Sequence, residues 1–254
     1  MSVAAFSLAG RVALVTGAGG GLGHGICSSL AAAGASVACV DIDPERASQV
    51  AELTGQLGVG SLAIEADVAD QPSVEAAVGR TVEEFGGLDV LVNNAAIYPR
   101  RPWTEITPQE WDQVLAVNLR GYFFFARACY EPMRQRDHGR IVNVSSVTLF
   151  LGFSMLLDYV SSKGAVVGFT RALARELGPD GINVNAIAPG AFPTDAERIH
   201  PDPEQYNQWV LDQQCVKRRG HPADIGNAVV FLSGDASSFI TGQTVLVDGG
   251  WAMH

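Results

Sequence analysis

The chain has little positive charge. Its 254 residues carry 17 Lys and Arg against 27 Asp and Glu, which gives a formal net charge of −10. Nucleic-acid binding depends on basic side chains that displace counterions, so this balance disfavours nucleic acids and anionic membranes as partners. No apolar run reaches the roughly 18 residues of a membrane span. The N-terminus lacks a secretory signal pattern, and we therefore expect a cytoplasmic protein.

Cysteine and histidine are also few. Four cysteines and five histidines are scattered without a CxxC pair or the spacing of zinc ligands, so we expect no metal site. We expect the cysteines to be small, buried apolar side chains. Apolar residues, in contrast, make up 47% of the chain. This content is enough for a sizeable core, and the length is usual for one α/β domain.

Short β-branched runs alternate with Ala-rich segments of helical period. The alternation is typical of βαβ units and predicts an α/β fold with a doubly wound parallel sheet, the Rossmann fold. The predicted strands are Val12–Thr16, Ser36–Asp41, Leu62–Glu65, Val90–Asn93, Arg140–Ser145, Asn183–Ala188 and Thr244–Val247. The predicted helices cover about 21–33, 44–57, 72–86, 108–135, 159–177 and 222–233.

One segment departs from this rhythm. Residues 190–219 are rich in Pro and charge, and they connect a strand to a helix by a longer path than compact folds usually have. A loop of this length often closes over a site as a lid. A surface excursion with a short helix of its own is an equally good interpretation.

A glycine-rich turn, TGAGGGLG from Thr16 to Gly23, follows the first predicted strand and opens a helix. Glycines allow a tight turn and let the backbone approach a pyrophosphate, whose charge then faces the N–H groups of the helix N-terminus. Such a string is a weak signal alone, because glycines also serve ordinary turns. Its place between a strand and a helix indicates a dinucleotide site.

The second predicted strand ends in a carboxylate, Asp41. This group can accept hydrogen bonds from the adenosine ribose hydroxyls, and it would repel a 2′-phosphate. Because Asp41, Ile42 and Asp43 form this edge and the glycine turn has no Arg or Lys, the sequence predicts NAD rather than NADP. The alternative is that Asp41 only caps the helix that begins at Pro44.

A serine, a tyrosine and a lysine follow the fifth predicted strand. Tyr159 and Lys163 are one helical turn apart, so the phenol and the ammonium group share a helix face, and Ser146 lies thirteen residues before the tyrosine. An ammonium group and a positive nicotinamide would favour the phenolate and lower the pKa of Tyr159. Tyr159 could then take the proton of an alcohol while hydride leaves for the cofactor.

These motifs resemble those of the short-chain dehydrogenases/reductases over essentially the whole chain. They occur in the order TGxxxGxG, NNA, an asparagine in the following helix, Ser-x12-Tyr-x3-Lys, PG-x3-T and TGQxxxVDGG. The resemblance implies one dinucleotide-binding and catalytic domain over residues 1–254, with a substrate lid at about 190–219.

The resemblance also implies roles for the matched residues. Tyr159 would be the acid/base group, and Ser146 would hold the substrate oxygen. Lys163 would bind the nicotinamide ribose, and Asn118 would hold a water that links this lysine to solvent. The residues implied in cofactor binding are Gly17, Gly21, Leu22, Gly23, Asp41, Ile42, Asp67, Val68, Asn94, Tyr159, Lys163, Ile187, Pro189 and Thr194.

The segment between Ser146 and Tyr159 is too apolar for an exposed loop, and family members place it along the substrate pocket. It favours a secondary alcohol or ketone of apolar or aromatic character over a cation or a strong anion. Further walls are expected from Tyr98, Phe192, Tyr206 and Trp209. The same side chains could instead pack an oligomer interface.

The family commonly forms tetramers, and we expect a homotetramer. Surplus apolar surface on the segment 123–130 and on the helix that starts at Tyr159 fits such a partner. The C-terminal residues 251–254 could reach a neighbouring subunit's pocket.

Two other functions remain open. A nicotinamide-dependent lyase, epimerase or dehydratase could use the same tyrosine without net redox change. A cofactor-sensing binding protein could keep the fold and lose turnover, but it would need no acid/base group, and the intact Ser146, Tyr159, Lys163 and Asn118 weigh against it.

Overall fold

The computed structural model describes residues 3–136, 138–194, 197 and 202–253. Residues 195–196 and 198–201 of the predicted lid, and His254 of the C-terminal segment, lie outside the described residues. The described strands form a parallel seven-stranded sheet in the order β3-β2-β1-β4-β5-β6-β7. They are β1 (Val12–Thr16), β2 (Ser36–Asp41), β3 (Ser61–Glu65), β4 (Val90–Asn93), β5 (Gly139–Val144), β6 (Ile182–Pro189) and β7 (Thr244–Val247).

Helices cover both faces of the sheet. They are α1 (Gly21–Ala32), α2 (Pro44–Gly55), α3 (Gln71–Phe85), α4 (Pro108–Leu115), α5 (Gly121–Gln135), α6 (Thr148–Leu151), α7 (Leu157–Leu177), α8 (Pro203–Gln213) and α9 (Pro222–Ser233). A π-helical turn, Ala116–Arg120, joins α4 to α5. Within the described residues, none of the helices combines the length and the apolar character that crossing a bilayer would require.

Side chains that point alternately to the two faces of the sheet pack into two apolar layers, one on each face. In β1, Ala13 and Val15 pack in the layer that contains α1 and α9, whereas Leu14 packs in the layer that contains α3 and α5. Successive side chains of a strand point to opposite faces, so a strand covered on both faces must be apolar throughout. All five residues of β1 are buried accordingly. The predicted doubly wound α/β fold is confirmed.

Three local differences from the predicted elements bear on the site. The predicted helix 108–135 is interrupted by the π-helical turn that carries Asn118. Strand β5 ends at Val144 rather than Ser145, and α7 begins at Leu157, which places Tyr159 in its first turn. The changes at the ends of β5 and α7 are of the size usual for element ends.

The segment 190–219 contains α8. Asp202 caps this helix by accepting a hydrogen bond from the Gln205 N–H, and Pro203 takes the first position, where no donor is needed. The interpretation of a short helix inside this segment is therefore confirmed, and the movement of a lid stays a prediction.

The strand order reverses between β1 and β4. From β1 the chain proceeds outward to β2 and β3, and it then returns to pair β4 with the other side of β1. In open α/β sheets such a reversal leaves a crevice at the carboxyl ends of the two strands, where ligands bind. The glycine turn follows β1 and the NNA loop follows β4, so both predicted motifs border this crevice.

Candidate active site

A cavity of about 920 Å³ occupies the crevice. It extends from the glycine turn and Asp41 to Tyr159 and the segments that follow β5 and β6. The predicted site residues that line it are Gly17, Gly21, Leu22, Gly23, Asp41, Ile42, Asp67, Val68, Asn94, Ser146, Tyr159, Lys163, Pro189 and Thr194. The fold therefore brings most of the predicted set, scattered over 178 positions of sequence from 17 to 194, to one cavity.

The glycine turn has no room for side chains. Gly17 has φ +63, and a Cβ there would come 2.8 Å from the Ala95 Cα. A Cβ on Gly21 would lie 2.7 Å from the Thr194 side chain, and one on Gly23 would collide with the Gly17 carbonyl oxygen. The bare backbone therefore faces the cavity at the N-terminus of α1, an arrangement that fits a dinucleotide pyrophosphate.

Asn94 lines the cavity and also holds the turn in place. Its side-chain amide donates hydrogen bonds to the carbonyl oxygens of Thr16 at 3.0 Å and Gly17 at 2.9 Å. The Thr16 hydroxyl oxygen in turn accepts from the N–H groups of Asn94 and Ala95. These hydrogen bonds hold the end of β4 against the glycine turn, and Asn94 forms part of the cavity wall there.

Asp41 bonds the glycine turn rather than the following helix. Its Oδ2 accepts from the Gly19 N–H at 2.9 Å, and its Oδ1 accepts from the Asp43 N–H at 3.1 Å. The cap of α2 is Asp43, which accepts from the N–H groups of Glu45 and Arg46. The alternative that Asp41 only caps α2 is therefore wrong, and its carboxylate lies at the cavity edge, where a ribose would be bound.

The other predicted adenosine contacts lie near Asp41. Ile42 is 68% exposed at the rim, and Asp67 and Val68 follow β3. The Asp67 carboxylate accepts from the Ala69 N–H at 2.8 Å, which turns the chain toward α3. They line the end of the cavity where the resemblance implies the adenine.

Ile187 is not at the cavity. Its side chain is fully buried in the apolar layer of α1 and α9, and its carbonyl oxygen accepts from the Ser145 N–H at 2.7 Å. The Ile187 side chain is directed into the core because β6 continues to Pro189, and the part implied for the Ile187 backbone in cofactor binding stays a prediction.

Ser146 and Ser145 have distinct positions. The Ser146 Oγ lines the cavity and accepts from the Thr148 N–H at 3.2 Å and from the Thr148 hydroxyl at 2.9 Å. The Ser145 hydroxyl is buried and donates to the Lys163 carbonyl oxygen at 2.9 Å, which fastens β5 to α7. Both serines border the cavity, but the Ser145 hydroxyl is engaged with Lys163, so Ser146 is the serine whose hydroxyl can meet a substrate, as its spacing to Tyr159 predicts.

Tyr159 lies in the cavity wall, with the Tyr98 ring centroid 5.6 Å from its own. Burial raises the pKa of Tyr159, and a hydrogen bond with Ser146 acts in the opposite direction. The lowered pKa expected for Tyr159 is thus not found in the chain itself. It requires the additional positive charge of an oxidised nicotinamide.

Lys163 is almost completely buried. Its Nζ donates to the Val144 carbonyl oxygen at 2.7 Å and to the Tyr122 hydroxyl oxygen at 3.2 Å, and it lies 5.7 Å from the Tyr159 ring centroid. Burial lowers the pKa of Lys163 to about 7. The predicted pairing of Tyr159 with Lys163 on one helix face is present, and the contact with Tyr122 is additional.

Asn118 is fully buried in the π-helical turn and does not line the cavity. Its Oδ1 accepts from the Ile97 N–H, and its Nδ2 donates to the Ile97 carbonyl oxygen and to the Ser162 hydroxyl at 3.0 Å. The amide therefore joins the loop after β4 to α7 beside Tyr159 and Lys163. The water link expected of Asn118 stays a prediction.

Aromatic rings form the far wall of the cavity. Phe153, Trp209 and Trp251 pack edge to face with centroids 5.1–6.3 Å apart, and Tyr206 stacks on Trp209 at 5.7 Å. The expected walls Tyr98, Phe192, Tyr206 and Trp209 all line the cavity. Trp251 lines the cavity of its own chain.

Several polar cavity residues were not predicted. They are Arg46, Arg100, Gln113, Thr148 and Glu197. Glu197 forms an ion pair with Arg219, and Arg46 pairs with Asp43 at 3.3 Å. Each lies outside the matched motif positions, so its sequence context alone gives no signal of a site. Among the described residues, no group of three potential metal ligands is found.

The fold and the cavity define a class of protein, a Rossmann-fold enzyme with a serine, a tyrosine and a lysine beside a dinucleotide site. The family model described as enoyl-(acyl carrier protein) reductase matches residues 17–252. The 5-keto-D-gluconate 5-reductase of Escherichia coli strain K12 is 38% identical over 245 residues, covering 96% of each chain.

Two further comparisons agree. The 3-oxoacyl-(acyl-carrier-protein) reductase FabG of Staphylococcus aureus strain Mu50 is 42% identical over 245 residues, covering 96% of this chain and 98% of that protein. A crystal structure of a candidate short-chain alcohol dehydrogenase from Sinorhizobium meliloti 1021 aligns with a TM-score of 0.93 and 38% identity, covering 97% of this chain and 98% of that one.

The chain belongs to the short-chain dehydrogenase/reductase family, and the resemblance drawn from its motifs is confirmed. It is an oxidoreductase that acts on hydroxyl or keto groups with a nicotinamide cofactor.

Proposed function

We propose that the chain is an NAD-dependent dehydrogenase/reductase that interconverts a secondary alcohol and a ketone of apolar or aromatic character. The observation that carries the proposal is the single cavity that joins Ser146, Tyr159 and Lys163 to the glycine turn and Asp41. Bound NAD supplies the hydride acceptor in oxidation, and NADH supplies the donor in reduction.

The chain's own groups provide the proton chemistry. The Thr148 hydroxyl donates to the Ser146 Oγ, so the hydrogen of Ser146 is left to donate toward Tyr159 or a substrate oxygen. In oxidation Tyr159 takes the hydroxyl proton as a phenolate, and in reduction it returns that proton to the carbonyl oxygen. Ser146 and Tyr159 thus hold one substrate oxygen between them.

NAD is proposed over NADP because of Asp41. Its carboxylate is at the cavity edge, where it accepts from two backbone N–H groups beside the proposed position of the adenosine ribose. Among the basic residues that line the cavity, Arg46 is the nearest to Asp41 in sequence, and it is paired with Asp43. A 2′-phosphate would therefore meet a carboxylate first, and repulsion disfavours it.

The aromatic wall supports an apolar substrate. Its ring centroids are 5.1–6.3 Å apart, which is the spacing of rings packed on one another. Rings packed in this way present a joined apolar surface to the cavity, which suits a substrate of apolar or aromatic character. Phe153 belongs to the apolar segment that precedes Tyr159.

A second substrate class, an anionic hydroxy or keto acid, is favoured by Arg100. This side chain lines the cavity, and within the described part of the chain it has no hydrogen bond or ion pair, whereas its neighbour Arg101 is paired with Glu110. The relative from Escherichia coli carries the name of a reductase of 5-keto-D-gluconate. A carboxylate on the substrate would be a suitable partner for the Arg100 guanidinium.

One assay tests both classes. Secondary alcohols and ketones with aromatic substituents, each paired with an analogue that carries a carboxylate, are followed by nicotinamide absorbance. We expect turnover with the uncharged aromatic members, and kcat/KM unaffected by Arg100→Gln. A preference for the carboxylate analogues that falls about tenfold in Arg100→Gln would favour the second class. Product formation without absorbance change would identify a lyase or an epimerase instead.

The quaternary state is proposed as a homotetramer. The groove between α4, α5, α7 and the π-helical turn is lined by the apolar residues Leu115, Ala116, Leu119, Phe123, Ala165 and Phe169, with Asp112 and Arg120 beside them, and Phe123 is 45% exposed. Burial of such a face in a partner would remove apolar surface from water. We expect light scattering to give four times the 26.8 kDa chain mass, and a monomeric mass at working concentration would refute the proposal. A cytoplasmic location is likewise proposed.

A further inference from the structure

A second tyrosine, Tyr122, is in direct contact with Lys163. Tyr122 lies in the first turn of α5, directly after the π-helical turn, and is 1% exposed. Its hydroxyl oxygen accepts from the Lys163 Nζ at 3.2 Å, and its own hydrogen is donated to the Val144 carbonyl oxygen at 3.1 Å. The sequence motifs imply no role for Tyr122.

The ammonium group of Lys163 lies beside two aromatic rings. Its Nζ is 5.3 Å from the ring centroid of Tyr122 and 5.7 Å from that of Tyr159. A cation within about 6 Å of a ring centroid is attracted by the negative face of the ring when it lies over that face. Because the Nζ is also 3.2 Å from the Tyr122 hydroxyl oxygen, it lies at the hydroxyl end of that ring rather than over its face. Tyr122 therefore contacts the lysine through its hydroxyl, while the Tyr159 ring lies near it on the lysine's own helix.

We propose that Tyr122 is a positioning residue that keeps Lys163 charged and oriented, and that it acts on Tyr159 through this lysine. The inference rests on the proposed function, because it assigns Lys163 its part in the acid/base chemistry.

The direction of the hydrogen bonds carries the argument. The Tyr122 hydroxyl has one hydrogen, which the Val144 carbonyl takes, so its oxygen can only accept from Lys163. A charged ammonium group donates to it and to the Val144 carbonyl at once. A neutral amine has two hydrogens for the same two acceptors, but a charged ammonium group makes the stronger hydrogen bonds to them, so the two acceptors favour the charged form of Lys163.

The charged form needs this support because Lys163 is buried. Burial lowers its pKa to about 7, and no carboxylate or arginine of the described residues contributes to that shift. The titratable groups that face Lys163 are Tyr122 from α5 and Tyr159 from α7, and β5 contributes the Val144 carbonyl. Loss of the Tyr122 hydroxyl would leave the ammonium group with one protein acceptor.

The test measures the pKa of Lys163 directly. The sequence contains two lysines, Lys163 and the exposed Lys217, so a chain labelled at the lysine side chains gives two NMR titration curves. Lys217→Gln assigns them. In Tyr122→Phe we expect the pKa of Lys163 to fall by about one unit, the size expected for a lost hydrogen bond to a charged group.

Tyr130→Phe is the matched control. Tyr130 is on the same helix, and its hydroxyl donates to Asp180 at 2.8 Å, away from the cavity. We expect this variant to leave the Lys163 titration unchanged. A Lys163 pKa in Tyr122→Phe that equals the control value would overturn the proposal. The melting temperatures of both variants show whether a change in the titration comes from partial unfolding instead.

A kinetic measurement completes the test. With Lys163 less charged, the phenolate of Tyr159 loses stabilisation, so the acidic limb of log kcat/KM for oxidation should move to higher pH in Tyr122→Phe. An unshifted limb would also count against the proposal. If the wild-type chain oxidises no alcohol, the proposed function fails, while the NMR titration still decides the role of Tyr122.

Discussion

Tyr159→Phe is expected to lower turnover by about 10²–10⁴-fold, the usual size of a general acid/base contribution. The substitution removes the phenol hydroxyl, while Ser146 and Lys163 in the same cavity are unchanged. It keeps the ring that packs against Tyr98, so the cavity wall should persist. NADH affinity, measured by fluorescence titration, should therefore stay within about twofold, because the glycine turn and Asp41 are untouched.

Tyr130→Phe again gives the matched comparison, since it removes a tyrosine hydroxyl bonded to Asp180 outside the cavity. Its rate should equal that of the wild type. A near wild-type rate in Tyr159→Phe would remove this tyrosine from the mechanism. A loss of NADH binding in the same variant would instead indicate a structural role.

The pH dependence of the wild type follows from the same group. Oxidation uses the phenolate. Burial raises the pKa of Tyr159 and a bound oxidised nicotinamide would oppose that shift, so we expect the phenolate fraction to increase as the pH rises above neutral. The rate of oxidation should consequently increase from neutral pH to about pH 9. Reduction uses the protonated phenol and should not share this increase. A flat oxidation profile over this range would contradict Tyr159 as the titrating base.

The sheet could be predicted because its strands are buried on both faces. Runs such as Val12–Thr16 and Val90–Asn93 have no polar face, and few other structures bury an apolar run of that length. The glycine turn, with Gly17 at positive φ and Gly23 against a carbonyl, is likewise a local requirement that the sequence displays.

Other features of the site depend on contacts between distant segments. The Tyr122 contact with Lys163 joins residues 41 positions apart, and Asn118 is directed to Ile97 and Ser162 by a π-helical turn that the periodicity does not reveal. Trp251 packs against Phe153 and Trp209, rings that lie far from it in the sequence, and a contact of residues 251–254 with a neighbouring subunit stays a prediction. Spacing predicts which residues share an element, but not which distant side chains meet.

The second large effect concerns cofactor choice. The wild type should bind NADH more tightly than NADPH by on the order of a hundredfold, because the Asp41 carboxylate would face the 2′-phosphate in a partly exposed site. In Asp41→Ser the repulsion is lost, and a serine oxygen can still accept from the Gly19 N–H. We therefore expect the preference to fall by about tenfold or more, mainly through tighter NADPH binding.

Asp43→Ser separates a local effect from a general one. It removes the same charge two residues away, and serine can still cap α2 toward the N–H groups of Glu45 and Arg46. If the repulsion comes from Asp41 itself, Asp43→Ser should retain most of the NADH preference, although Arg46 loses its partner at 3.3 Å. Equal dissociation constants of the wild type for NADH and NADPH would refute the role given to Asp41. If Asp43→Ser lost the NADH preference and Asp41→Ser kept it, cofactor choice would depend on Arg46, which has lost its partner Asp43, rather than on Asp41.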